Sequence, residues 1–119
     1  MITQTAFVQQ LVTSIPALRG LLENHLDANF QEILPYPFMG ELARWVEAHA
    51  LEDSASAEAV LWELDRGLAH GDAHIQNLIR AGFLETVPRG GQIRRILPAL
   101  LMVEHERLIA AGLADPGSG

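Results

Sequence analysis

At 119 residues the chain is long enough for one domain with one apolar core. Just under half of it is hydrophobic (49%) and 19% is charged, a composition that buries enough apolar surface to fold and so excludes wholesale disorder. There is no cysteine, which removes disulfides and thiolate chemistry, and fifteen acidic residues outweigh eight basic ones, all of them arginine, so the net charge of −7 repels nucleic acid and favours a basic partner.

Apolar residues recur at helical spacing almost throughout, and no run alternates strictly as a half-buried strand would. The expected fold is all-α, an irregular bundle of about five or six helices over residues 1–112, followed by a disordered tail at 113–119. Phe7, Val8, Leu11, Val12 and Ile15 make the first apolar face, which Pro16 ends. Ser14 is the expected N-cap of a second helix carrying Leu18, Leu21, Leu22 and Leu26 and ending near Asn29.

Pro35 and Pro37 predict an extended connector through Tyr36, with a third helix from Phe38 to His49. Ser54 and Ser56 stand where a fourth helix needs its cap, and Val60, Leu61, Leu64 and Leu68 form its face up to Gly71. Asp72 is a good N-cap for the next helix, in which Ile75, Leu78, Ile79 and Phe83 face inward while His74 and Asn77 face outward. The last segment runs from about Gln92 to Ala111, and Pro98 within it predicts a kink or two shorter helices. Pairing 38–49 with 56–70, and 72–84 with 92–111, gives a stack of helical hairpins as the alternative architecture.

The stretch "HGDAHIQN", residues 70–77, matches the H-G-D-x-H-x-x-N catalytic loop of aminoglycoside phosphotransferases and choline kinases. Phosphoryl transfer by that machinery also requires a lysine on the nucleotide phosphates and a further Asp on magnesium. This chain has no lysine and no Asp between Asp72 and Asp115, so the match is read as an accident of a helix-turn-helix corner.

Metal binding is the sharper alternative. His70, Asp72 and His74 straddle that corner and offer imidazole and carboxylate ligands, with His25, His49 and His105 as distant contributors. No H-E-x-x-H pair accompanies them, so the plain reading is five ordinary histidines, mostly exposed, and no cofactor. Glu41, Glu47, Glu52, Asp53, Glu63 and Asp65 are candidates for acid–base work only if they meet in space, and no serine sits in a G-x-S-x-G turn. Arg89, Arg94 and Arg95 in "RGGQIRR" read as a solvated edge or a small anion site.

The aromatic set Phe38, Trp45 and Trp62, with Tyr36 and Met39, reads chiefly as core. Its other reading is a partner-binding patch in which Tyr36 stands on a rigid exposed loop, with Trp45, Glu41 and Glu47 beside it.

The segments "LLENHLDANFQEILPYPFMGELARWVEAH" and "GLAHGDAHIQNLIRAGFLETV" resemble a family of small, largely uncharacterised bacterial helical proteins, whose blocks read like "EILPHLFMGDLARWV" and "SGDEEVQNLIAVSFLENL". Residues 32–46 and 71–86 carry the fit; the histidines at 70 and 74 depart from it. The resemblance implies a place in toxin–immunity loci, where a small acidic protein neutralises a toxin domain.

Together these readings give a cytoplasmic, non-enzymatic protein-binding module that masks a basic partner, with a homo-oligomeric scaffold as a further alternative. No membrane span or signal peptide is expected.

Overall fold

The structure, a computed structural model, describes residues 2–114 and contains helices and turns with no strand among them. Helix α1, Gln4–Ser14, starts where the Thr3 hydroxyl accepts the Ala6 amide at 3.0 Å, and it buries Phe7, Val8 and Leu11. Ser14 is the last residue of α1 and caps nothing. Pro16 instead opens a 3-10 turn, Pro16–Leu18, which leads directly into α2, Arg19–Ala28. Its fixed φ suits a first helical position, where the missing amide has no partner to lose.

The same reasoning corrects the connector expected around Tyr36. Helix α3, Pro35–His49, takes both prolines into its first turn, and the Leu34 carbonyl accepts the Phe38 amide at 2.9 Å. The first amides of a helix lack intrahelical acceptors, so two prolines there remove no bond. Phe38, Met39, Leu42, Ala43 and Val46 are buried along it.

Helix α4, Ser54–His70, is capped one residue earlier than expected: Asp53, rather than Ser54 or Ser56, accepts the Ser56 amide. It ends as predicted at Gly71, whose amide returns to the Gly67 carbonyl at 2.8 Å. Asp72 then caps α5, Ala73–Asn77, by accepting the Ile75 amide at 3.0 Å. Beyond Asn77 the chain widens into a π-helical turn, Leu78–Phe83, and tightens into a 3-10 turn, Leu84–Thr86. This winding turns Leu78, Ile79, Gly82, Phe83 and Leu84 all into the core.

Pro98 divides the last segment as predicted, into α6, Gln92–Arg95, and α7, Ala99–Ala110. Helix α7 closes in a Schellman motif: Gly112 takes φ +75°, the Leu113 amide returns to the Leu108 carbonyl at 2.9 Å and the Gly112 amide to Ile109 at 3.0 Å. This turn leaves Leu113 exposed and folds Ala114 back onto the core; the rest of the expected tail, 115–119, lies outside the described residues.

Helix α3 is the hub. It packs against α1, α2, α4, α6 and the π-helical turn, while α7 lies across α4 and the two irregular turns. Stacked hairpins would touch only their sequence neighbours. The contacts of α1 with α3 and α5 make this an irregular bundle instead.

Candidate functional site

The first amides of a helix lack intrahelical acceptors, and in this fold two helices, the four-residue α6 and the longer α7, take theirs from far along the chain. The Glu47 carboxylate on α3 accepts the Gln92 amide at 2.6 Å and the Ile93 amide at 3.2 Å, capping α6. The Asp65 carboxylate on α4 accepts from Leu100 and Leu101 at 3.0 and 3.1 Å, capping α7, whose own cap residue is Pro98 with no side-chain acceptor. Both acids therefore meet a positive helix end, where a negative charge is favoured.

Glu41 is engaged as well. His25 is buried, and its Nε2 accepts the Leu34 amide at 3.0 Å. That places the ring proton on Nδ1, which donates to the two Glu41 oxygens at 3.1 and 3.0 Å. The ring edge also meets Phe38, at 5.4 Å between centroids, and the His25 carbonyl accepts from Asn29 at 2.8 Å. One imidazole thus ties together α2, the turn after it and α3.

The second buried histidine is His105 on α7. Its Nε2 donates to the Val87 carbonyl at 2.7 Å, and its Nδ1 accepts from the Arg94 guanidinium at 2.9 Å. Arg94 is also paired with Glu106. Burial holds the His105 imidazole below its usual pKa, and the charges of Arg94 and Arg89 push the same way against the Val87 carbonyl and Glu106. The Arg94 guanidinium lowers the Glu106 carboxyl, chiefly by hydrogen bonding. Of the arginine cluster, Arg89 and Arg95 are exposed as expected and Arg94 is built into this network.

The expectation of mostly exposed histidines fails at His25 and His105. Their place on the apolar stripe was the available signal: His25 continues Leu18, Leu21 and Leu22, and His105 lies between Leu101 and Leu108.

The four residues read as a partner patch do not share one face. At about 100° per residue, Tyr36 and Glu47 fall on one side of α3 and Glu41 and Trp45 on the other. The Tyr36 hydroxyl, part-exposed at the first turn, accepts from Asn77 at 2.6 Å and Gln4 at 3.3 Å. Trp45 is half-buried and stacks on His49, with ring centroids 4.2 Å apart, while His49 donates to the Trp45 carbonyl at 2.8 Å. Trp62 is exposed and stands apart from the core.

His70 and Asp72 line a cleft of about 400 Å³ between α1 and α4, with Phe7, Gly67 and Ile75 as its floor and Glu63 and Arg66 at its rim. His74 lies outside that cleft and is exposed. No three His, Asp or Glu side chains among the described residues converge in a metal-holding arrangement, His70, Asp72 and His74 included.

Six carboxylates form no ion pair and cap no helix among the described residues: Glu52, Glu58 and Glu85 are scattered over the turn before α4, α4 itself and the 3-10 turn Leu84–Thr86, and the other three lie close in sequence. Glu23, Asp27 and Glu32 are exposed on α2 and its exit turn and make no ion pair among the described residues. Among them stands Phe30, 95% exposed and with φ +55°.

Fold and polar groups define a small all-helical domain whose last two helices are capped by distant carboxylates. The chain belongs to the family described as Domain of unknown function (DUF7674), whose profile matches residues 8–109. Both sequence blocks, 32–46 and 71–86, lie inside that span. No curated protein and no solved structure matches the chain. No helix of the described residues is long and apolar enough to cross a membrane.

Proposed function

We propose that the chain is a non-enzymatic protein-binding module whose partner is basic. The observation that carries this reading is the group of unpaired carboxylates Glu23, Asp27 and Glu32 on α2 and its exit. Arg19, one turn before Glu23 on α2, pairs with none of them among the described residues, and the next basic residue along the chain is Arg44. Three carboxylates against one arginine, on a chain of net charge −7, draw in positively charged surfaces and repel acidic ones. Glu41, engaged with His25 of α2, adds field to that patch but not a free carboxylate, and Glu47 is turned to α6 on the other side of α3. An immunity protein that neutralises a basic toxin domain is the biological form that the sequence resemblance favours.

The test is affinity capture of the tagged protein at low and high salt, with mass spectrometry of what co-purifies. One dominant basic protein, released by salt and weakened by the triple variant E23Q/D27N/E32Q, is the expected result, since screening acts on exposed charges. Association indifferent to salt and to that variant overturns the reading.

A further inference from the structure

We infer that Phe30 is the anchor by which the chain engages its partner, its phenyl ring entering an apolar recess on a basic protein surface. The inference rests on the reading just proposed and names the contact within it. Helix α2 ends at Ala28 with Asn29 as its C-cap, and the Gln31 amide returns to the Leu26 carbonyl at 2.8 Å, which is the long bond of a Schellman motif. Phe30 therefore occupies the left-handed position of that motif, at φ +55°, and Gln31 follows at +64°. The equivalent position after α7 is Gly112, the residue type that takes this conformation without a steric penalty. A Cβ makes it unfavourable, and Phe30 places an aromatic ring there.

The fold recovers nothing for that cost, because the ring is 95% exposed and absent from the core. Nor is the turn left loose. His25 accepts the Leu34 amide, Asn29 donates to the His25 carbonyl, and Gln31 donates to Asp27 at 3.3 Å. Phe30 is thus presented on a braced turn, with the part-exposed Leu34 four residues on. Pre-ordering of this kind lowers the entropy lost on association, and a protruding aromatic inside a polar rim is the usual make-up of an energetic centre at an interface. The rim also selects the occupant: Asp27 and Glu32 flank the ring in sequence with no basic residue beside them, so the covering surface is basic.

The experiment places a photo-crosslinking benzoylphenylalanine at position 30 of the full chain and, as control, at the exposed Trp62, in the cells that make the protein. The expected result is one basic protein crosslinked from position 30 and not from 62, through a peptide in which apolar residues are flanked by Lys or Arg. Affinity of the purified pair should then fall at least about tenfold in Phe30→Gly and in Phe30→Asn. The glycine variant should at the same time melt a few degrees higher, which a merely damaged fold would not do.

Crosslinking to an acidic protein, to a second copy of this chain, equally from both positions, or to nothing overturns the inference. So does a Phe30→Gly variant that binds as tightly as the unaltered protein. In that last case, loss of binding in E23Q/D27N/E32Q leaves the broader reading standing with its anchor elsewhere, whereas intact, salt-indifferent binding removes both.

Discussion

Glu47 on α3 and Gln92 at the start of α6 are 45 positions apart in the chain, and the carboxylate of one accepts the amide proton of the other at 2.6 Å. A four-residue helix is too short to hold itself, because nucleation fixes several residues for a single hydrogen bond. Its first amides are satisfied from the hub helix, which fixes how the segment between Pro88 and Pro98 lies on α3.

Glu47→Ala should therefore lower unfolding free energy by about 1–2 kcal/mol, the usual effect of losing a cap at a partly buried helix start. A Cβ on Gly91 would stand 2.5 Å from the Glu47 Oε1, so Gly91→Ala displaces the same carboxylate. Denaturant melts of both single variants and the double should show coupling, with Gly91→Ala costing less once Glu47 is gone. Strict additivity would mean that the carboxylate is not what Gly91 protects.

Asp65 serves α7 in the same way. Asp65→Ala should cost about 1–2 kcal/mol, and Asp65→Asn, which keeps an oxygen acceptor but not the charge, should cost less. Hydrogen exchange checks the location: the Leu100 and Leu101 amides should lose protection in Asp65→Ala before the core of α4 does.

His105 should make stability depend on pH. Its imidazole is held below the usual value of about 6.5, so between its folded and unfolded values the unfolded chain binds more protons. Stability is highest with the ring neutral, starts to fall as pH drops through the unfolded value, and keeps falling towards the folded one. Asp53 and Glu106, whose carboxyls are lowered, add a separate loss only in the more acidic range where carboxylates protonate. Chemical denaturation from pH 8 down to about pH 5 should thus show a declining midpoint that flattens in His105→Gln. An unchanged slope in that variant would assign the decline to another group.

Two glycine replacements should move stability in opposite directions. At Gly82 a Cβ would lie 2.9 Å from the Met39 Cβ, an atom that moves only with α3 itself, so Gly82→Ala should cost about 1–3 kcal/mol by overpacking. At Gly20, inside α2, a Cβ meets nothing within 4 Å, and Gly20→Ala should stabilise by about 0.4–1 kcal/mol. Thermal melts of the two variants check the signs.

Much of the local architecture was legible in the residues. Apolar spacing located the helices, Gly71 and Asp72 marked the corner between α4 and α5, and Pro98 separated α6 from α7, because each of these residues acts on backbone within a few positions of itself. The prolines at 35 and 37 misled for a related reason: proline obstructs a helix interior but not a first turn, and the sequence does not say which turn it will be. The π-helical turn at Leu78–Phe83 has no local code and follows from its fit against α3.

The polar groups divide along the same line. Charge sign, the lack of cysteine and the lack of lysine are properties of composition, and together with the helical spacing of the apolar residues they let the sequence by itself determine that this is an acidic, all-helical domain. Which carboxylates are engaged far along the chain was decided by tertiary structure alone. Glu41, Glu47 and Asp65 look no different in sequence from Glu23, Asp27 and Glu32. The first three are taken up by a buried imidazole and two distant helix starts, because a buried ring proton and the first amides of a helix need an acceptor wherever the chain brings one within reach.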